Sequence, residues 1–540
     1  MAQAQAQPDP SAFHRTGPLA ALAIPAFRAL WTAQLISNIG TWMQSVAAQW
    51  VLVDLRHAAL LTSLVQAATL LPVLLLSLPA GVLSDSLDRR RYLLVLQIIM
   101  TTATGALALL QWAGLAGPAV LLGVTFILGC AAAMAGPAWQ AIQPDLVPRQ
   151  LLPPALALNG ANVNLARAIG PALAGGLLAW IGPAAVFGIN AATTVVVVVT
   201  LARWREQPSR TSSASMASAV RAGLRYVRSA PAIRRILLRS GLFVVPGSAL
   251  WSLLAVASRN LLGLGSAGYG VGLAALGVGA VVGAVIGPKI CIKLPMTAVL
   301  AGATVAFAAG ICAVAMVEVP AVVWAVLVVA GIGWVVVLTV LQTGLQLTLP
   351  AWVRARGASA YILVFMGGQG LGAVVWGSVA NWLNLTFTLL VAAGLLLAGA
   401  VTLMWWPLMP NTGQLDRTPQ TVSPPNLPTQ PAPDDGPIHV RLTYKVPAAN
   451  LDAFDHQARR VELSRRRMGA QHWTIWQDLT NPEQIVEQYT IDTWGEYLDL
   501  LSERITGFDS ELAAALTALA SAPPKIEWFA PPQGWTQPPP

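Results

Sequence analysis

Long apolar runs recur along most of this chain of 540 residues. A helix needs about 20 mainly apolar residues to cross roughly 30 Å of hydrocarbon. The runs predict twelve transmembrane helices, near 29–54, 58–80, 92–112, 118–143, 155–180, 183–203, 236–258, 266–287, 295–316, 321–348, 357–380 and 385–406. We therefore expect an all-α polytopic membrane protein with two six-helix halves, because a water-soluble core could not bury so many apolar segments.

Polar stretches between the runs set the expected domain boundaries. These are a cytoplasmic tail 1–25, a first helical half 26–203, a central cytoplasmic loop 204–235, a second half 236–407, a Pro-rich linker 408–436, a soluble α+β domain 437–530 and a disordered tail 531–540. In the central loop, three arginines on one helical face predict a short surface helix at 219–228. A solvated linker is the alternative there.

Charge separates a basic part of the chain from an acidic part. Residues 1–407 carry 22 Lys and Arg against 7 Asp and Glu, whereas residues 408–540 carry 10 against 16. The basic side chains lie between apolar runs, which favours a lipid bilayer over nucleic acid as their partner. With the N-terminus in the cytoplasm, the outer loops hold only Arg56 and Arg259. The positive-inside rule thus predicts a multi-pass protein of the bacterial inner membrane with both termini cytoplasmic.

The segment between the second and third runs reads GVLSDSLDRRR, from Gly81 to Arg91. It resembles the signature loop of the major facilitator superfamily, a Gly-x-Leu-x-Asp core followed by basic residues. We expect Gly81 to allow a tight turn and close backbone approach. The resemblance implies a cytoplasmic gating latch made of Gly81, Asp85 and Arg89. A plain positive-inside loop is the alternative, and Asp88 departs from a pattern that often has Gly there.

A second motif lies in the fifth run, at Gly170, Pro171 and Gly175. It is similar to the Gly-Pro-x-x-Gly-Gly motif of exporters in this superfamily, with Ala174 in place of the first Gly of the pair. Together with the segments 137–141 and 144–148, it resembles the secretion-effector branch, which includes the enterobactin exporter and macrolide-efflux-like proteins. The resemblance covers about residues 25–405 and implies export rather than uptake.

Polar side chains inside apolar runs are costly in a bilayer and are therefore candidates for function. A polar stripe follows the first run, and a second polar set lies in the fifth. The substrate-cavity candidates are Gln34, Asn38, Thr41, Asn162, Arg167, Gln342, Gln346 and Gln369. Interhelical hydrogen bonding is the alternative role for each amide. A guanidinium such as that of Arg167 needs a partner or water, and it could bind an anionic substrate group.

Energy coupling has fewer candidate residues. The chain contains no Walker loop, which counts against ATP as the driving force, and the superfamily implies proton antiport. Every acid of residues 1–407 lies at a span end, in a loop or in the tail, and Asp54 and Asp145 are the nearest proton-coupling candidates. The three cysteines lie in apolar runs, so we expect no disulfide framework, no metal site and no cofactor.

The acidic C-terminal part has a different periodicity. Strands are predicted at 438–446, 471–479, 484–491 and 526–529, and helices at 448–468 and 493–520. This βαββαβ order predicts a ferredoxin-like fold, and it resembles the dimeric barrel of antibiotic-biosynthesis-monooxygenase-like domains, which implies a regulatory or dimerisation role. His472 with Trp473 and Trp476 is an enzymatic candidate, although packing is the favoured interpretation. The Arg465–Arg467 run is interpreted as a solvated helix end or a lipid contact.

These patterns together predict a secondary transporter and not an enzyme. It would export a small molecule (a siderophore, drug or secondary metabolite) by alternating access, with protons as the coupling partner. Two alternatives are a membrane-anchored sensor or enzyme acting through residues 437–530, and an uptake carrier of the same fold. Twelve spans with two polar stripes exceed what an anchor requires.

Overall fold

The computed structural model describes residues 19–204, 230–350, 353–408 and 420–531. The expected surface helix at 219–228, nearly all of the tail 531–540 and most of the tail 1–25 lie outside these residues. Helices account for most of the described chain before residue 402, and strands occur only after residue 437.

Apolar helices follow one another through the first part of the chain. They are α1 (Pro25–Val51), α2 (Ala58–Ser86), α3 (Arg89–Trp112), α4 (Pro118–Leu146), α5 (Leu152–Arg203), α6 (Pro231–Asn260), α7 (Ser266–Lys293), α8 (Met296–Met316), α9 (Pro320–Thr348), α10 (Arg354–Trp382) and α11 (Leu385–Val401). The 52-residue α5 leaves helical geometry at Gly182, with φ 77°, where the sequence predicts a boundary between two spans. Glycine adopts this left-handed conformation without a steric penalty.

Nine helices of the described residues are long and apolar enough to cross a membrane by length and composition. The long α5 counts once in that number, whereas α1 and the shorter α11 are not included. The protein is therefore a mostly helical chain with many apolar helices, and the count of twelve spans stays a prediction.

Three exposed tryptophans lie where apolar helical segments end. Trp112 ends α3, Trp180 precedes the break at Gly182, and Trp382 ends α10; each is more than 80% exposed. Indole rings concentrate at membrane–water interfaces because their large apolar surface and polar N–H suit that boundary. Their positions therefore agree with a helical bundle surrounded by lipid.

The chain divides into two compact units. The first comprises Met1–Ser213, Arg239–Val340 and Ile362–Pro407, and the second comprises Ala214–Leu238, Leu341–Tyr361 and Leu408–Pro540. Within the first unit α1 packs along α5, α2 along α4, and α8 along α11. The packing of α5 against α7 joins the first and second halves of the helical chain.

A four-stranded antiparallel sheet forms the centre of the C-terminal domain. Its elements are β1 (Ile438–Lys445), α12 (Leu451–Met468), β2 (Gln471–Gln477), β3 (Gln484–Ile491), α13 (Trp494–Asp499), α14 (Gly507–Thr517) and β4 (Lys525–Phe529). The strand order β2-β3-β1-β4 is that of a ferredoxin-like fold. The helical stretch predicted at 493–520 is not continuous: α13 passes into a π-helix at Leu500–Arg504, and the extended residues Ile505 and Thr506 then separate it from α14.

Residues 420–436, the described part of the expected linker, lie against the C-terminal domain. The backbone N–H of Gln420 donates to the carbonyl of Ile505 (2.9 Å), and that of Val422 donates to the carbonyl of Leu501 (2.8 Å). Leu427 packs against the hydrophobic core of the domain. This stretch has no helix or strand, and it is fixed to the domain that follows it.

Candidate functional site

Asparagines link α1 to α5 along a polar seam. The amide Nδ2 of Asn38 donates to Oδ1 of Asn162 (2.9 Å), and Nδ2 of Asn162 donates to the carbonyl of Trp31 (3.0 Å). The indole of Trp31 donates back to the carbonyl of Leu158 (3.0 Å). The structure thus brings together two cavity candidates, and their mutual bonding favours the interhelical role for both.

Thr41 borders a small cavity inside the first helical half. The cavity has a volume of about 70 Å³ and is lined by α1–α5, with Gln44 and Asn190 among its residues. Oε1 of Gln44 accepts hydrogen bonds from Asn190 and from Thr104 (3.4 Å). Sequence reasoning missed Gln44 and Asn190, although both are amides inside apolar runs and so carried the same signal as the chosen candidates.

The remaining glutamine candidates are dispersed. Gln34 is half-buried in α1, and Gln369 is buried in α10 within the first unit. Gln342 and Gln346 are exposed in the last turns of α9, which belong to the second unit. Their role in a cavity stays a prediction.

The exporter-like motif lies at two close helix crossings. A Cβ at Gly170 would lie 2.5 Å from Cβ of Trp42 on α1. A Cβ at Gly175 would lie 2.7 Å from the carbonyl oxygen of Ser266 and 2.9 Å from Cα of Gly270, both on α7. The carbonyl of Gly175 also accepts a bond from the Ser266 hydroxyl (3.2 Å). The glycines therefore set the distance between α5 and its two neighbours.

Pro171 completes this contact through its backbone. A Cβ at Gly270 would lie 2.6 Å from the carbonyl oxygen of Pro171. Two turns further along α7, a Cβ at Gly277 would lie 2.5 Å from Cα of Ala168. Small residues on both helices allow backbone-to-backbone packing over several turns.

Arg167 lies in α5 beside this crossing and contacts an aromatic ring rather than an acid. Its guanidinium carbon lies 5.6 Å from the ring centre of Trp42. Its Nε is buried and finds no hydrogen-bond acceptor among the described residues. The Trp42 ring in turn lies 6.3 Å from that of Trp251 on α6, whose buried Nε1 also finds no described acceptor.

Trp251 begins an aromatic cluster in the second helical half. Its ring lies 5.4 Å from Trp334, which lies 5.0 Å from Phe307 and 5.3 Å from Phe243. Gly247 leaves room for these rings, since a Cβ there would be 3.2 Å from both Phe307 and Trp334. The sequence predictions did not include this cluster, because aromatic residues in apolar runs look like ordinary packing.

The latch-like segment differs locally from the expectation. Gly81 lies inside α2 and not in a turn, and a Cβ there would meet no described atom within 4 Å. The expected close approach at Gly81 is therefore wrong. Asp88 caps α3 by accepting the N–H of Arg91 (2.7 Å), which explains an acid at that position.

Two basic residues of the same segment lie at the start of α3. Arg90 donates to the carbonyls of Leu201 and Ala202 at the end of α5, where a cation is favoured by the helix dipole. Arg89 is half-buried. Asp85 lies in the last turn of α2 and its side chain is outside the described set, so the Asp85–Arg89 latch stays a prediction.

Asp54 lies just beyond the end of α1 and forms an ion pair with Arg259 at the end of α6 (2.9 Å). Nearby, Nδ1 of His57 lies 2.7 Å from Oδ1 of Asn381 near the end of α10. Both links join the first helical half to the second and border a cavity of about 420 Å³. We call the region of the Asp54–Arg259 and His57–Asn381 links the α1–α2 end. The side chain of the other proton candidate, Asp145, lies outside the described set.

Deeper than these pairs, α1 contacts α7 through a buried polar bond. The hydroxyl of Tyr269 donates to Oε1 of Gln49 (3.0 Å), and both residues are at most 5% exposed. The Tyr269 ring stacks on Trp50 with centres 5.9 Å apart. Gln49 ends the polar stripe of α1, and the stripe therefore faces two different partners, α5 and α7.

Arg239 in α6 is a buried arginine that sequence reasoning missed. Its guanidinium donates to the carbonyls of Gly399 (3.0 Å), Thr402 (3.0 Å) and Trp406, and to the Thr402 hydroxyl (2.6 Å). These acceptors lie in the last turn of α11 and just beyond its end, where carbonyls lack the next helical N–H donors. Arg239 therefore caps α11, in contrast to Arg167.

The C-terminal domain buries a charged cluster. The carboxylate of Glu487 accepts from Tyr444 Oη (2.9 Å), Arg465 Nε (3.0 Å) and Trp473 Nε1 (3.0 Å). The Glu487 side chain is 1% exposed. Burial, together with the neighbouring negative charge, raises the pKa of the Tyr444 hydroxyl. Both carboxylate oxygens are satisfied, so this cluster stabilises the domain and leaves no free acid or base.

The expectation that the Arg465–Arg467 run is solvated is wrong for two of its three residues. Arg465 pairs with Glu487, and Arg467 pairs with Asp509 (3.1 Å); both arginine side chains are nearly buried. Only Arg466 is exposed. The two arginines turn toward different elements, Arg465 toward Glu487 on β3 and Arg467 toward Asp509 on α14, and these partners lie 22 and 42 positions away, too far along the chain to be recognised.

His472 and its neighbours do not assemble a catalytic group. His472 is exposed at a bulge of β2, with φ 47°. Trp473 bonds to Glu487, and Trp476 is exposed with its indole donating to Thr474. The packing interpretation of this segment is the one that its contacts support.

Comparison with known proteins places this arrangement among transporters. The sequence profile of the transmembrane secretion effector family matches residues 16–529. The multidrug efflux pump Tap of Mycobacterium tuberculosis is 28% identical over 277 residues, which cover 46% of this chain and 65% of Tap. The staphyloferrin A transporter of Staphylococcus aureus is 24% identical over 262 residues, covering 48% of this chain and 66% of that protein.

A longer match is found with the enterobactin exporter EntS of Salmonella typhimurium, which is 26% identical over 394 residues, covering 70% of this chain and 92% of EntS. The chain thus spans just under two thirds of the length of Tap and of the staphyloferrin A transporter. Solved structures with the same helical fold include a mutant of the nucleoside transporter NupG (TM-score 0.58, 13% identity, 70% of this chain and 98% of NupG). The POT family transporter PepTSo has the same helical fold (TM-score 0.56, 12% identity, 71% of this chain and 97% of PepTSo).

Proposed function

This chain belongs to the transmembrane secretion effector family, and we propose that it exports a small organic molecule across the bacterial inner membrane. The family match over residues 16–529, which includes both helical halves and the C-terminal domain, is the observation that carries the proposal. Similarity to an efflux pump and an enterobactin exporter supports export over uptake. Because the family and these relatives are transporters, the chain is assigned as a transporter and not as an enzyme.

The proposed topology has twelve spans in two six-helix halves. Nine helices qualify directly by length and composition. A second crossing by α5 after Gly182, and one crossing each by α1 and α11, bring the number to twelve. With both termini in the cytoplasm, Trp112, Trp180 and Trp382 all lie on the outer side, as an aromatic belt requires.

We place the moving contacts of alternating access at three levels. The glycine crossing of α5 and α7 keeps the halves close and serves as the pivot, because it holds no side chain that must repack. The proposed latch of Gly81, Asp85 and Arg89 acts on the cytoplasmic side. The α1–α2 end, with its Asp54–Arg259 pair, acts on the outer side.

Protons are proposed to act through Asp54, with Asp145 as the second candidate. Protonation of Asp54 removes the charge that attracts Arg259, and the link between α1 and α6 weakens. Asp54 is exposed at the α1–α2 end and therefore accessible to external protons. In an exporter, proton entry from this side accompanies opening of the same side.

For the C-terminal domain we propose a regulatory or dimerisation role. One face of the sheet packs on α12 and α14, whereas His439, Arg441 and Lys445 of β1 are exposed on the other face. A second copy of the domain is the proposed occupant of that open face. Removal of residues 410–540 tests the role, since an effect on self-association without loss of export separates regulation from transport.

The decisive experiment measures substrate accumulation in cells that lack their main efflux pumps. Cells expressing the wild-type chain are compared with cells expressing the Asp54→Asn or Asp85→Asn variant. The matched charge control is Lys293→Gln, because Lys293 is exposed at the end of α7. We expect lowered accumulation of some compounds in a broad panel, reversed by a protonophore and by the two acid variants. Unchanged accumulation across the panel with normal membrane levels of protein would contradict export.

A further inference from the structure

Two arginines of the helical unit, the buried Arg239 and the half-buried Arg167, differ in how their charge is satisfied. Arg239 donates to carbonyls and a hydroxyl at the end of α11 and is explained as a cap. Arg167 faces Trp42 and forms no ion pair within the described part of the chain. The Nε atoms of both arginines are buried without a described acceptor, and the difference is that the terminal nitrogens of Arg239 have acceptors whereas Arg167 makes no described hydrogen bond. Because an unsatisfied buried donor costs about 1–3 kcal/mol, the position calls for a role other than structure.

A second unsatisfied donor belongs to the same group of side chains. Trp251 is 8% exposed, and its Nε1 finds no acceptor among the described residues. Trp42 lies between the two donors, 5.6 Å from the Arg167 guanidinium carbon and 6.3 Å from the Trp251 ring. The indole N–H of Trp376, by contrast with that of Trp251, donates to the carbonyl of Val245 (2.8 Å).

The position of the group suits a ligand that crosses the bundle. Trp42 belongs to α1, Arg167 to α5 and Trp251 to α6, so residues from both halves contribute. Beside it, Gly170 and Gly277 hold α1 and α7 against α5. A molecule held here would contact both halves at once.

We infer that Arg167, Trp42 and Trp251 form a binding subsite for a planar aromatic anion, such as an aromatic carboxylate or phenolate. The inference rests on the proposed transport function and names the substrate class for it. The anionic group accepts from the Arg167 guanidinium, and the ligand ring packs against Trp42, where aromatic contacts favour offset or edge-on geometry. A cationic aromatic would face the guanidinium charge and leave that donor unsatisfied.

The test uses purified full-length protein in detergent and three probes that share one ring system. Binding of radiolabelled 1-naphthoate is measured by scintillation proximity, with unlabelled 1-naphthamide and 1-naphthylmethylammonium as competitors. We expect saturable naphthoate binding, with each competitor at least about tenfold weaker, because a charge-assisted bond contributes about 1.5 kcal/mol or more. Absence of saturable binding to monodisperse protein, or stronger competition by the ammonium probe, would overturn the inference.

Variants assign the effect to the subsite. Arg167→Gln should weaken naphthoate binding at least about tenfold and abolish the preference over the amide. Arg167→Lys should keep that preference, and Lys293→Gln should bind as the wild type does. Wild-type affinity in Arg167→Gln would overturn the assignment, and if that variant fails to fold, the order of the three probes on the wild type decides.

Failure of this inference can be told from failure of the proposed function. Cells that export compounds while Arg167→Gln binds naphthoate normally would refute the subsite and leave export standing. Conversely, Arg167-dependent binding with no export across the panel would refute the exporter assignment.

Discussion

Substitution of Gly175 by alanine tests a close backbone contact between α5 and α7. The added Cβ would lie 2.7 Å from the Ser266 carbonyl oxygen and 2.9 Å from Cα of Gly270. Both are backbone atoms of α7, so no flexible side chain can move aside. Carbon contacts are favourable at about 3.5 Å or more, and the two helices must therefore separate by roughly 0.6 Å or more at this level.

The neighbouring Gly176 is the matched control. It is exposed on the same helix, and a Cβ there would meet no described atom within 4 Å. Alanine improves helix propensity by about 1 kcal/mol at both positions, whereas overpacking costs about 1–3 kcal/mol at Gly175 alone. We expect Gly175→Ala to be less stable than Gly176→Ala by about 1–3 kcal/mol.

Thermal unfolding of detergent-solubilised protein, followed by fluorescence-detected gel filtration, measures the difference. Gly270→Ala should resemble Gly175→Ala, since its Cβ would lie 2.6 Å from the Pro171 carbonyl oxygen. The double variant should cost less than the sum of the single variants, because one separation of the helices accommodates both methyl groups. Equal midpoints for Gly175→Ala and Gly176→Ala would refute the argument.

Three further outcomes are expected elsewhere in the molecule. The fragment 420–531 has its own hydrophobic core and can be studied in isolation. In it, Glu487→Gln should lower the free energy of unfolding by about 3–5 kcal/mol, because the Arg465 charge is left unpaired. A urea titration that shows a loss under about 1 kcal/mol would contradict this. Burial raises the pKa of the Tyr444 and Tyr489 hydroxyls above 10.0. The contribution of these two tyrosines to stability is therefore complete below about pH 10 and is lost as the pH rises further. Absorbance at alkaline pH should show that they ionise only when the domain unfolds, and ionisation in the folded protein would contradict their burial. Arg239→Ala should lower stability by about 3 kcal/mol, since it removes four hydrogen bonds at the end of α11; an unchanged melting temperature would show that water replaces the cap.

Hydrophobic length predicts much of the helical part, and turn chemistry predicts some of its boundaries. Pro118 and Pro320 begin α4 and α9, and the break at Gly182 falls where two apolar runs meet. In the soluble domain, alternation along Ile438–Lys445 predicts a strand with one buried face, as observed. These features depend on residues close together in the chain, which is why the sequence alone indicates them.

Partner choice depends on tertiary packing and could not be predicted. The Asn38–Asn162 bond joins residues 124 positions apart, and Arg239 meets carbonyls 160 or more positions away. Glu487 is one of the alternate residues of β3 that face the core, so the strand pattern indicates an inward side chain. Nothing local in the sequence identifies Arg465 as its partner. Polar residues in spans thus indicate that a contact exists without indicating which one.

The links at the α1–α2 end differ in how strongly they resist separation. The side chains of Asp54 and Arg259 are 65% and 45% exposed, so water and salt screen them, and exposed pairs contribute at most about 1 kcal/mol. The bond from Tyr269 to Gln49 is buried and must be broken without water nearby. If the proposed alternating access holds, ionic strength should therefore change how often the α1–α2 end separates, whereas the height of the barrier to separation depends on Tyr269 and its stack on Trp50.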